Sequence, residues 1–422
     1  MTTKPIAASL APDATAGWRI RAFQIAWGLA LCFYFLEYAS RSAPSVMIQH
    51  LSVAFGTTAI GVSAILGTYY YTYSTTSLIA GAALDRLGAK KVVPVGIFIL
   101  AVGCLLFSVP TTAAGYAGRL LQGAGSAFAF TGAVYLASHG FSARWLATAI
   151  GVTQCLGMLG GAAGQFVVGP WLEHGIGWQT IWHWLGTASI AVGVVLFVVT
   201  PREPRSQSPS SSWASVLNPY RTVFRNPQSY LCGAVAGLLF VPTTIGDMTW
   251  GVAFFQRDRM FNYHDAVVTG SLVPLGWVIG CPLVGWLADR LGRRKPVLIG
   301  GAAVMLLAAA AITFSTTDRA AEIACLIFGI ASGAAMIPYT IVKEVNPDEV
   351  KGSATGAINF LTFGVTALIG PIFADLLGKG FAGTQSHVAH FRASGIFWMV
   401  GIAIAILLTF FLRETGRAQR KV

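Results

Sequence analysis

Four ionisable side chains lie within long apolar stretches of the chain, and their types suit binding and proton chemistry: Glu37, Arg41, Arg119 and Asp247. A charged side chain at the centre of a membrane helix costs about 2.5–3.5 kcal/mol on insertion scales. The formal charges of the four sum to zero. We therefore expect each of them to face the protein interior or a partner, and to take part in binding or in proton transfer.

Glu37 and Arg41 share a predicted helical face with two tyrosines. Residues three or four apart lie on one side of a helix, and this spacing holds for Tyr34, Glu37, Tyr38 and Arg41. A guanidinium presents a fixed fork of donors that matches a carboxylate or a phosphate. Arg41 beside two phenols is therefore predicted to form an anion-binding wall. The alternative is an intrahelical Glu37–Arg41 pair that only neutralises itself.

Asp247 and Arg119 each have more than one open role. Asp247 lies in the polar segment 243–250, where it either binds a substrate ammonium group opposite Arg41 or carries a coupled proton. Glu37 is the other candidate for that proton, since intramembrane carboxylates commonly serve as proton relays. A purely structural Asp247, held by neighbouring threonines, is the third interpretation. Arg119 either assists the coupling or tethers the helix that carries Arg41.

Further polar and aromatic residues in the apolar stretches complete the predicted binding site. An uncompensated amide deep in a span is costly, which favours roles for Gln154 and Asn359. Aromatic residues at helical spacing, such as Tyr69, Tyr70 and Tyr73, are weaker candidates, because they more often serve packing than binding. The predicted substrate-binding set is Arg41, Tyr34, Tyr38, Tyr70, Gln154, Asp247, Trp250, Tyr339 and Asn359, with Glu37, Asp247 and Arg119 as the proton-coupling set.

The composition is that of a polytopic membrane protein. Of the 422 residues, 55% are hydrophobic and only 10% are charged, and the mean hydropathy is +0.66. Soluble domains carry about 25% charged residues, and about 20 apolar residues suffice to cross a bilayer as a helix. The sequence predicts an all-α protein with twelve transmembrane helices, near residues 22–48, 60–83, 92–110, 113–138, 147–171, 178–200, 229–254, 265–288, 296–316, 320–342, 353–377 and 393–412.

The distribution of the basic residues behind the net charge of +12 indicates how the chain is oriented in the membrane. Cytoplasmic loops of membrane proteins carry an excess of Lys and Arg. With both termini in the cytoplasm, the outer loops hold only five of the 28 basic residues, namely Arg257, Arg259, Arg319, Lys379 and Arg392. The distribution predicts cytoplasmic termini in a multi-pass protein of a bacterial inner membrane, and it excludes a nucleic-acid partner as the reason for the basic charge.

The chain contains an internal duplication. The sequence Gly-x-x-x-Asp-Arg-x-Gly-x-Lys-Lys at 81–91 returns at 285–295 as Gly-x-x-x-Asp-Arg-x-Gly-x-Arg-Lys, at a constant offset of 204 residues. The first copy follows the second predicted span and the other copy follows the eighth. The duplication predicts two six-helix bundles, with an N-terminal tail 1–21, a first bundle 22–200, a linker 201–228, a second bundle 229–412 and a C-terminal tail 413–422.

This doubled signature resembles that of the major facilitator superfamily. The resemblance covers essentially the whole chain and implies two pseudo-symmetric bundles that rock about a central substrate site. In that family the repeated residues usually form a gating latch, and they also anchor the loop in the cytoplasm. The residues to which this gating role is carried over are Gly81, Asp85, Arg86, Gly88, Gly285, Asp289, Arg290 and Gly292.

The surroundings of Arg41 are similar to those in organic-anion transporters of the superfamily, and to the phagosomal nutrient transporters of intracellular bacteria. In the former, a span 1 arginine after one or more tyrosines binds the substrate anion. The segment that begins at Arg119 resembles the span 4 pattern of the superfamily. One departure is Asp247, because organophosphate antiporters carry a second arginine in span 7. This departure argues against a doubly charged phosphate as substrate.

The sequence predicts a secondary transporter and no enzyme. Motifs of hydrolases, ATP-driven pumps and paired-metal sites do not occur. The favoured function is proton-coupled import of a small carboxylate-bearing solute, with amino-acid-like zwitterions ahead of simple organic anions. The alternatives are an exporter of siderophores, metabolites or drugs and, at lower weight, a membrane receptor without transport. We expect a monomer in the lipid bilayer that binds a small solute and protons and needs no cofactor and no metal.

Overall fold

The computed structural model describes residues 14–202, 213–315, 317–382 and 387–416, and every regular element in these ranges is helical. Eleven helices among them are long and apolar enough to cross a membrane. A twelfth span results when the pair Ile48–Phe55 and Ala59–Leu84, bent by 99°, counts as one. The number of helices matches the twelve predicted spans, which we number in chain order.

Each of the first six spans is one long helix, except that span 5 is interrupted at one residue near its outer end. Span 1 begins at Ala14, earlier than the predicted residue 22, because the helix continues past the apolar region into the polar residues before it. Their bounds are Ala14–Ser42 (span 1), Ala59–Leu87 (span 2), Ala89–Phe107 (span 3), Thr112–Gly140 (span 4), Ala143–Phe166 with Val168–Glu173 (span 5) and Trp178–Val199 (span 6).

Spans 7 to 12 repeat this order, but two of them are interrupted near their middle. Span 7 consists of Pro227–Val241, a π-helical turn at Pro242–Asp247 and Gly251–Asp258. Span 10 consists of Asp318–Ser332, a 3-10 turn at Gly333–Met336 and Ile337–Glu344. The other bounds are Tyr263–Leu291 (span 8), Lys295–Phe314 (span 9), Lys351–Ala382 (span 11) and His387–Thr409 (span 12).

The π-helical turn of span 7 has an identifiable cause. Pro242 lacks the backbone N–H that a regular helix needs, so the hydrogen-bond ladder is interrupted there. The backbone N–H of Met248 donates to the carbonyl oxygen of Thr243, five residues back, at 2.8 Å, as in a π-helix. Asp247 closes this turn. π-Helical turns frequently occur at functional sites, and this one ends at a buried carboxylate.

Glycines bring the helices around Arg41 into close contact. A Cβ atom on Gly123 in span 4 would lie 2.1 Å from the carbonyl oxygen of Tyr69 in span 2. A Cβ on Gly160 in span 5 would lie 2.2 Å from the carbonyl oxygen of Phe35 in span 1. Membrane helices associate through such small residues. The glycines therefore fix spans 1, 2, 4 and 5 at the separation that the site requires.

The linker contains a helix that the sequence interpretation did not anticipate. This helix, Trp213–Arg225, lies within the predicted linker 201–228. The hydroxyl of Tyr220 donates to the carbonyl oxygen of Leu78 in span 2 at 2.9 Å. On the same side, the hydroxyl of Ser74 in span 2 donates to the carbonyl oxygen of Phe360 in span 11 at 2.7 Å. Spans 2 and 11 therefore meet from the middle of span 2 toward the predicted cytoplasmic side.

Candidate substrate and coupling site

Arg41, Glu37 and Tyr69 form a buried polar cluster between spans 1 and 2. Arg41 Nη2 and the Tyr69 hydroxyl both donate to Glu37 Oε1. Arg41 Nε and Nη2 lie 3.2 and 3.0 Å from the Tyr69 hydroxyl oxygen. Arg41 is 2% exposed and Glu37 is 0% exposed. The intrahelical pair that the sequence left as an alternative is present, and a tyrosine from the neighbouring span completes it.

Four aromatic rings surround the Arg41 guanidinium. The guanidinium carbon lies 4.3 Å from the ring centroid of Tyr38, 4.8 Å from that of Tyr73 and 5.1 Å from that of Tyr69. The fourth ring belongs to Phe363 of span 11, at 5.3 Å. The electron-rich faces of such rings attract a cation within about 6 Å. This cage holds the guanidinium at the boundary between the first six spans and the last six.

Arg119 adds a second guanidinium to the cluster. Its Nη1 donates to the carbonyl oxygen of Ser40 at 3.1 Å and to Gln122 Oε1 at 2.7 Å. Its guanidinium carbon lies 4.7 Å from the ring centroid of Tyr69. Across the described ranges, the only ion pair that involves Glu37, Arg41 or Arg119 is Glu37–Arg41. With all three groups ionised, the cluster therefore carries one uncompensated positive charge.

Each charged member of the cluster keeps one polar atom without a partner within the described part of the chain: Glu37 Oε2, Arg41 Nη1 and Arg119 Nε. Buried polar atoms are nearly always hydrogen-bonded, so such atoms call for an explanation. An unpartnered guanidinium N–H in a cluster of net positive charge is suited to donate a hydrogen bond to a bound anion.

A small central cavity adjoins the Arg41 cage. Its volume is about 10 Å³, roughly the space that a single water molecule needs. Two hydrogen bonds cross its wall, one from the Tyr34 hydroxyl to Gln154 Oε1 at 3.2 Å and one from the Tyr339 hydroxyl to Asn359 Oδ1 at 2.8 Å. The lining residues are Tyr34, Tyr38, Tyr73, Phe130, Gln154, Phe240, Met336, Tyr339, Asn359 and Phe363. Five predicted binding residues thus meet at one cavity.

Asp247 lies apart from the Arg41 cluster and contacts Gln165 of span 5. Gln165 Nε2 donates to Ser45 Oγ at 3.2 Å and to Asp247 Oδ2 at 3.5 Å. Gln165 thereby joins the 3-10 turn Ala43–Val46, which follows span 1, to span 7. A Cβ on Gly270 would lie 3.4 Å from Asp247 Oδ1 and 3.7 Å from Gln165 Oε1, so this glycine leaves room beside both oxygens. In the described chain Arg41 and Asp247 form no ion pair, and their contacts share no residue.

Besides Asp247, two further predicted binding residues, Tyr70 and Trp250, lie outside the central cavity. The Tyr70 hydroxyl donates to the carbonyl oxygen of Thr244 in span 7 at 3.2 Å. Trp250 lines a separate cavity of about 710 Å³ on the predicted outer side, together with Ser45, Glu173 and Asp258. Another cavity on that side, of about 500 Å³, is lined by residues of spans 2, 4, 7 and 11. The central cavity is thus nearly closed, while open space lies on its outer side.

The chain matches the family model of the Major Facilitator Superfamily over residues 30–371. The chain belongs to the major facilitator superfamily. It is therefore a secondary transporter of the membrane and no enzyme. The fold is that of solved superfamily members: a bacterial homologue of the human lysosomal transporter Spinster, in an inward-facing and unoccupied conformation, superposes with a TM-score of 0.73, at 16% identity over 93% of this chain and 97% of that one.

Curated members of the superfamily that resemble this chain along most of its length include several transporters named for organic anions. The probable sulfoacetate transporter of Cupriavidus necator is 24% identical, over 92% of this chain and 94% of that protein. The probable galactarate/D-glucarate transporter of Bacillus subtilis is 23% identical, over 79% and 80%. The D-galactonate transporter of Escherichia coli O6:H1 is 22% identical, over 82% and 86%.

The superfamily signature differs between its two copies. Gly88 and Gly292 both adopt positive φ, of 72° and 62°, which a side chain would strain. A Cβ on Gly81 would lie 3.3 Å from the Tyr220 hydroxyl, whereas a Cβ on Gly285 would have nothing within 4 Å. The two glycines therefore have different surroundings, because Tyr220 of the linker helix lies beside Gly81.

The second copy takes part in an ion-pair network at the predicted cytoplasmic face. Arg294 Nη1 pairs with Asp289 Oδ1 at 2.7 Å, and Arg294 Nη2 pairs with Glu344 Oε1 at 3.1 Å. Partial burial opposes the charge on Arg294, but the hydrogen bonds to Glu344 and Asp289 outweigh it and raise the pKa of Arg294 above its usual value. The network joins spans 8 and 10, both in the second bundle.

The remaining signature residues have simpler surroundings. The Arg290 guanidinium lies 5.1 Å from the Trp286 ring centroid, and Arg86 is exposed. The side chain of Asp85 lies outside the described residues.

The Glu414 carboxylate accepts from the backbone N–H groups of Arg294 and Lys295 at 2.7 and 3.1 Å. Glu414 thereby caps the N-terminus of span 9, where a negative charge is favourable.

Sequence reasoning missed two residues of the site and left a third among weaker candidates. Gln165 is an amide within an apolar span, so the argument that selected Gln154 applied equally to it. Phe363 carried no signal of its own, since a phenylalanine in a membrane span is ordinary. Tyr69 stood beside Tyr70 as one aromatic candidate among several, and only the structure distinguishes the tyrosine that contacts Glu37 and Arg41. Within the described residues, no group of three His, Cys, Asp or Glu could hold a metal ion.

Proposed function

We propose that this transporter imports a small carboxylate-bearing organic anion together with a proton. The observation that carries the proposal is the uncompensated positive charge of the Glu37–Arg41–Arg119 cluster, with Arg41 Nη1 unpartnered in the described chain. An excess charge is costly in a low-dielectric interior. A bound carboxylate neutralises this charge and gives Arg41 a charge-assisted hydrogen bond.

The similarity to transporters of sulfoacetate, galactarate or glucarate, and galactonate supports an anionic substrate. The zwitterion that the sequence favoured loses its structural basis, since it needs Asp247 close to Arg41. Asp247 instead contacts Gln165, and Arg41 contacts Glu37 and aromatic rings. A simple organic anion therefore takes precedence over an amino acid.

Two carboxylates are available for the coupled proton, and their surroundings favour Asp247. Glu37 accepts from both Arg41 and Tyr69, and both contacts stabilise its charged form. Asp247 is 7% exposed and accepts one long hydrogen bond, from Gln165 at 3.5 Å. A carboxylate with so little compensation for its charge is suited to bind and release a proton during the transport cycle. We assign the coupling to Asp247 and the stabilisation of Arg41 to Glu37.

Proteoliposomes test the proposal. Sulfoacetate, D-galactonate and 4-sulfobenzoate are each offered outside, because these anions do not cross a bilayer unaided. We expect at least one to accumulate when the exterior is acidic, and the accumulation to collapse with a protonophore. Arg41→Ala should abolish it, whereas Arg319→Ala, at an exposed arginine, should transport normally. Accumulation that ignores the proton gradient contradicts the coupling, and normal uptake by Arg41→Ala contradicts the anion site.

A further inference from the structure

The central cavity is lined mainly by aromatic rings. Seven of its ten lining residues are Phe or Tyr, and only Gln154 and Asn359 carry amides. Three of the rings, those of Tyr38, Tyr73 and Phe363, also surround the Arg41 guanidinium. A substrate whose carboxylate reaches Arg41 must therefore hold the rest of its body among these rings.

Two hydrogen bonds link polar groups of the lining to one another. Tyr34 donates to Gln154 Oε1, and Tyr339 donates to Asn359 Oδ1. In the described part of the chain, Gln154 Nε2 is the lining's one fully buried polar atom without a partner, and Arg41 Nη1 is its counterpart in the adjoining cage. Two free donors suffice for a carboxylate and one further acceptor. Beside them the lining offers two further tyrosine hydroxyls and the Asn359 amide nitrogen, which are too few for a chain of hydroxyl groups.

A polyhydroxylated acid would fit this lining poorly. Each hydroxyl group that leaves water without a new hydrogen bond carries a desolvation cost. Sites for such substrates therefore present many positioned donors and acceptors. Aromatic walls instead favour flat apolar bodies, which they contact face to face or edge to face. The lining thus distinguishes between substrates that share the same carboxylate.

We infer that the substrate class of this site is a carboxylate borne on a flat, unsaturated body such as an aromatic ring. The inference rests on the proposed function, because Arg41 must bind the carboxylate. The ring lies among Tyr38, Tyr73 and Phe363, and Gln154 Nε2 donates to a further acceptor such as a ring hydroxyl. The cavity of about 10 Å³ widens for this ligand when the two bundles separate on the outer side.

Equilibrium binding to the purified full-length protein in detergent tests the substrate class. Binding is preferable to uptake here, because benzoate crosses bilayers as the neutral acid. The probes are benzoate, 4-hydroxybenzoate, cyclohexanecarboxylate and D-galactonate, each followed by calorimetry and by the shift of the thermal unfolding temperature. Comparing the affinities of a flat and a saturated ring of similar size distinguishes stacking on the aromatic side chains from hydrophobic burial alone. We expect both benzoates to bind, cyclohexanecarboxylate to bind about three- to tenfold more weakly, and D-galactonate not to bind.

The variant Phe363→Leu provides a second measurement. It keeps an apolar side chain but removes one ring of the cage, so it should weaken the benzoates and leave cyclohexanecarboxylate nearly unchanged. Phe411→Leu is the matched control, because the side chain of Phe411 is 70% exposed. D-Galactonate binding as tight as benzoate binding overturns the aromatic class and leaves the anion proposal standing. If none of the four carboxylates binds, the proposed function fails together with the inference.

Discussion

Arg41 and Phe363 meet across the boundary between the two bundles, with the guanidinium carbon of Arg41 5.3 Å from the ring centroid of Phe363. Arg41 belongs to span 1, where Glu37 and Tyr69 hold it, and Phe363 belongs to span 11. The contact can therefore exist only while the two bundles lie close together at the level of the central cavity. An anion that enters beside Arg41 must loosen this contact, which links substrate binding to the motion of the bundles.

Glu37→Gln should destabilise the protein, and a bound anion should partly restore its stability. Removing one partner of a buried ion pair costs about 3–5 kcal/mol, since the other charge is left uncompensated. In this variant Arg41 and Arg119 face no carboxylate, so a substrate anion supplies the missing negative charge. Thermal unfolding of the purified variant, with and without the anion that binds wild type, measures both effects.

The control for this prediction is Glu349→Gln, at an exposed glutamate of the predicted cytoplasmic side. It should unfold like the wild type and show an ordinary ligand-induced shift. Unchanged stability of Glu37→Gln, or an anion-induced shift no larger than that of the wild type, would argue against electrostatic compensation by the ligand.

Asp247→Asn should uncouple substrate transport from proton transport. An asparagine keeps the volume of the side chain and the contact with Gln165, but it cannot carry a proton. We expect the variant to lose accumulation driven by an acidic exterior and to retain exchange of internal for external substrate. Paired accumulation and counterflow assays measure the two activities. Full accumulation by Asp247→Asn would move the coupling to another group.

Gln165→Leu tests the connection between spans 1, 5 and 7. The variant leaves Asp247 without its hydrogen bond from Gln165, and a buried group without a partner costs about 1–3 kcal/mol. We expect a lower unfolding temperature for Gln165→Leu and a smaller loss when the substitution is made in the Asp247→Asn background, where the charge is already gone. Equal losses in both backgrounds would mean that Gln165 stabilises the protein independently of Asp247.

Gly356→Ala should open the predicted cytoplasmic side by displacing the linker helix. A Cβ at this position would lie 2.9 Å from the Tyr220 hydroxyl and 3.3 Å from the carbonyl oxygen of Ser77. The clash weakens the contact of spans 2 and 11, and Tyr220→Phe should relieve part of it by removing the hydroxyl. The rate of substrate exchange, measured for both single variants and the double variant, gives their interaction energy. Additive effects on the exchange rate would mean that Tyr220 does not act on the contact between spans 2 and 11.

The sequence determined which face of span 1 is buried, but not what lies against that face. Helical spacing put Tyr34, Glu37, Tyr38 and Arg41 on one side, and all four are at most 3% exposed. Periodicity within one helix carries no information about the neighbouring helix. The contacts of Arg41 with Tyr69 and Phe363, which lie 28 and more residues away in the chain, therefore came only from the structure.

The pseudo-symmetry of the sequence was misleading at two points. The repeat suggested that span 7 faces span 1 with Asp247 opposite Arg41, but Asp247 ends a π-helical turn, contacts Gln165 and forms no ion pair with Arg41 within the described residues. The repeat also suggested equivalent glycines at Gly81 and Gly285. In the structure the Tyr220 hydroxyl of the linker helix lies 3.3 Å from the Cβ position of Gly81, whereas nothing lies within 4 Å of that of Gly285.

The most direct test of the account is the affinity of wild type and Arg41→Gln for the anion that proves to bind, measured by calorimetry on purified protein. Glutamine keeps hydrogen-bond donors but removes the charge. Losing a buried charge-assisted contact costs at least about 2 kcal/mol, so the affinity should fall at least about thirtyfold, while Arg319→Gln should bind like wild type. Equal affinities of Arg41→Gln and wild type would contradict the assignment of Arg41 as the residue that binds the substrate carboxylate.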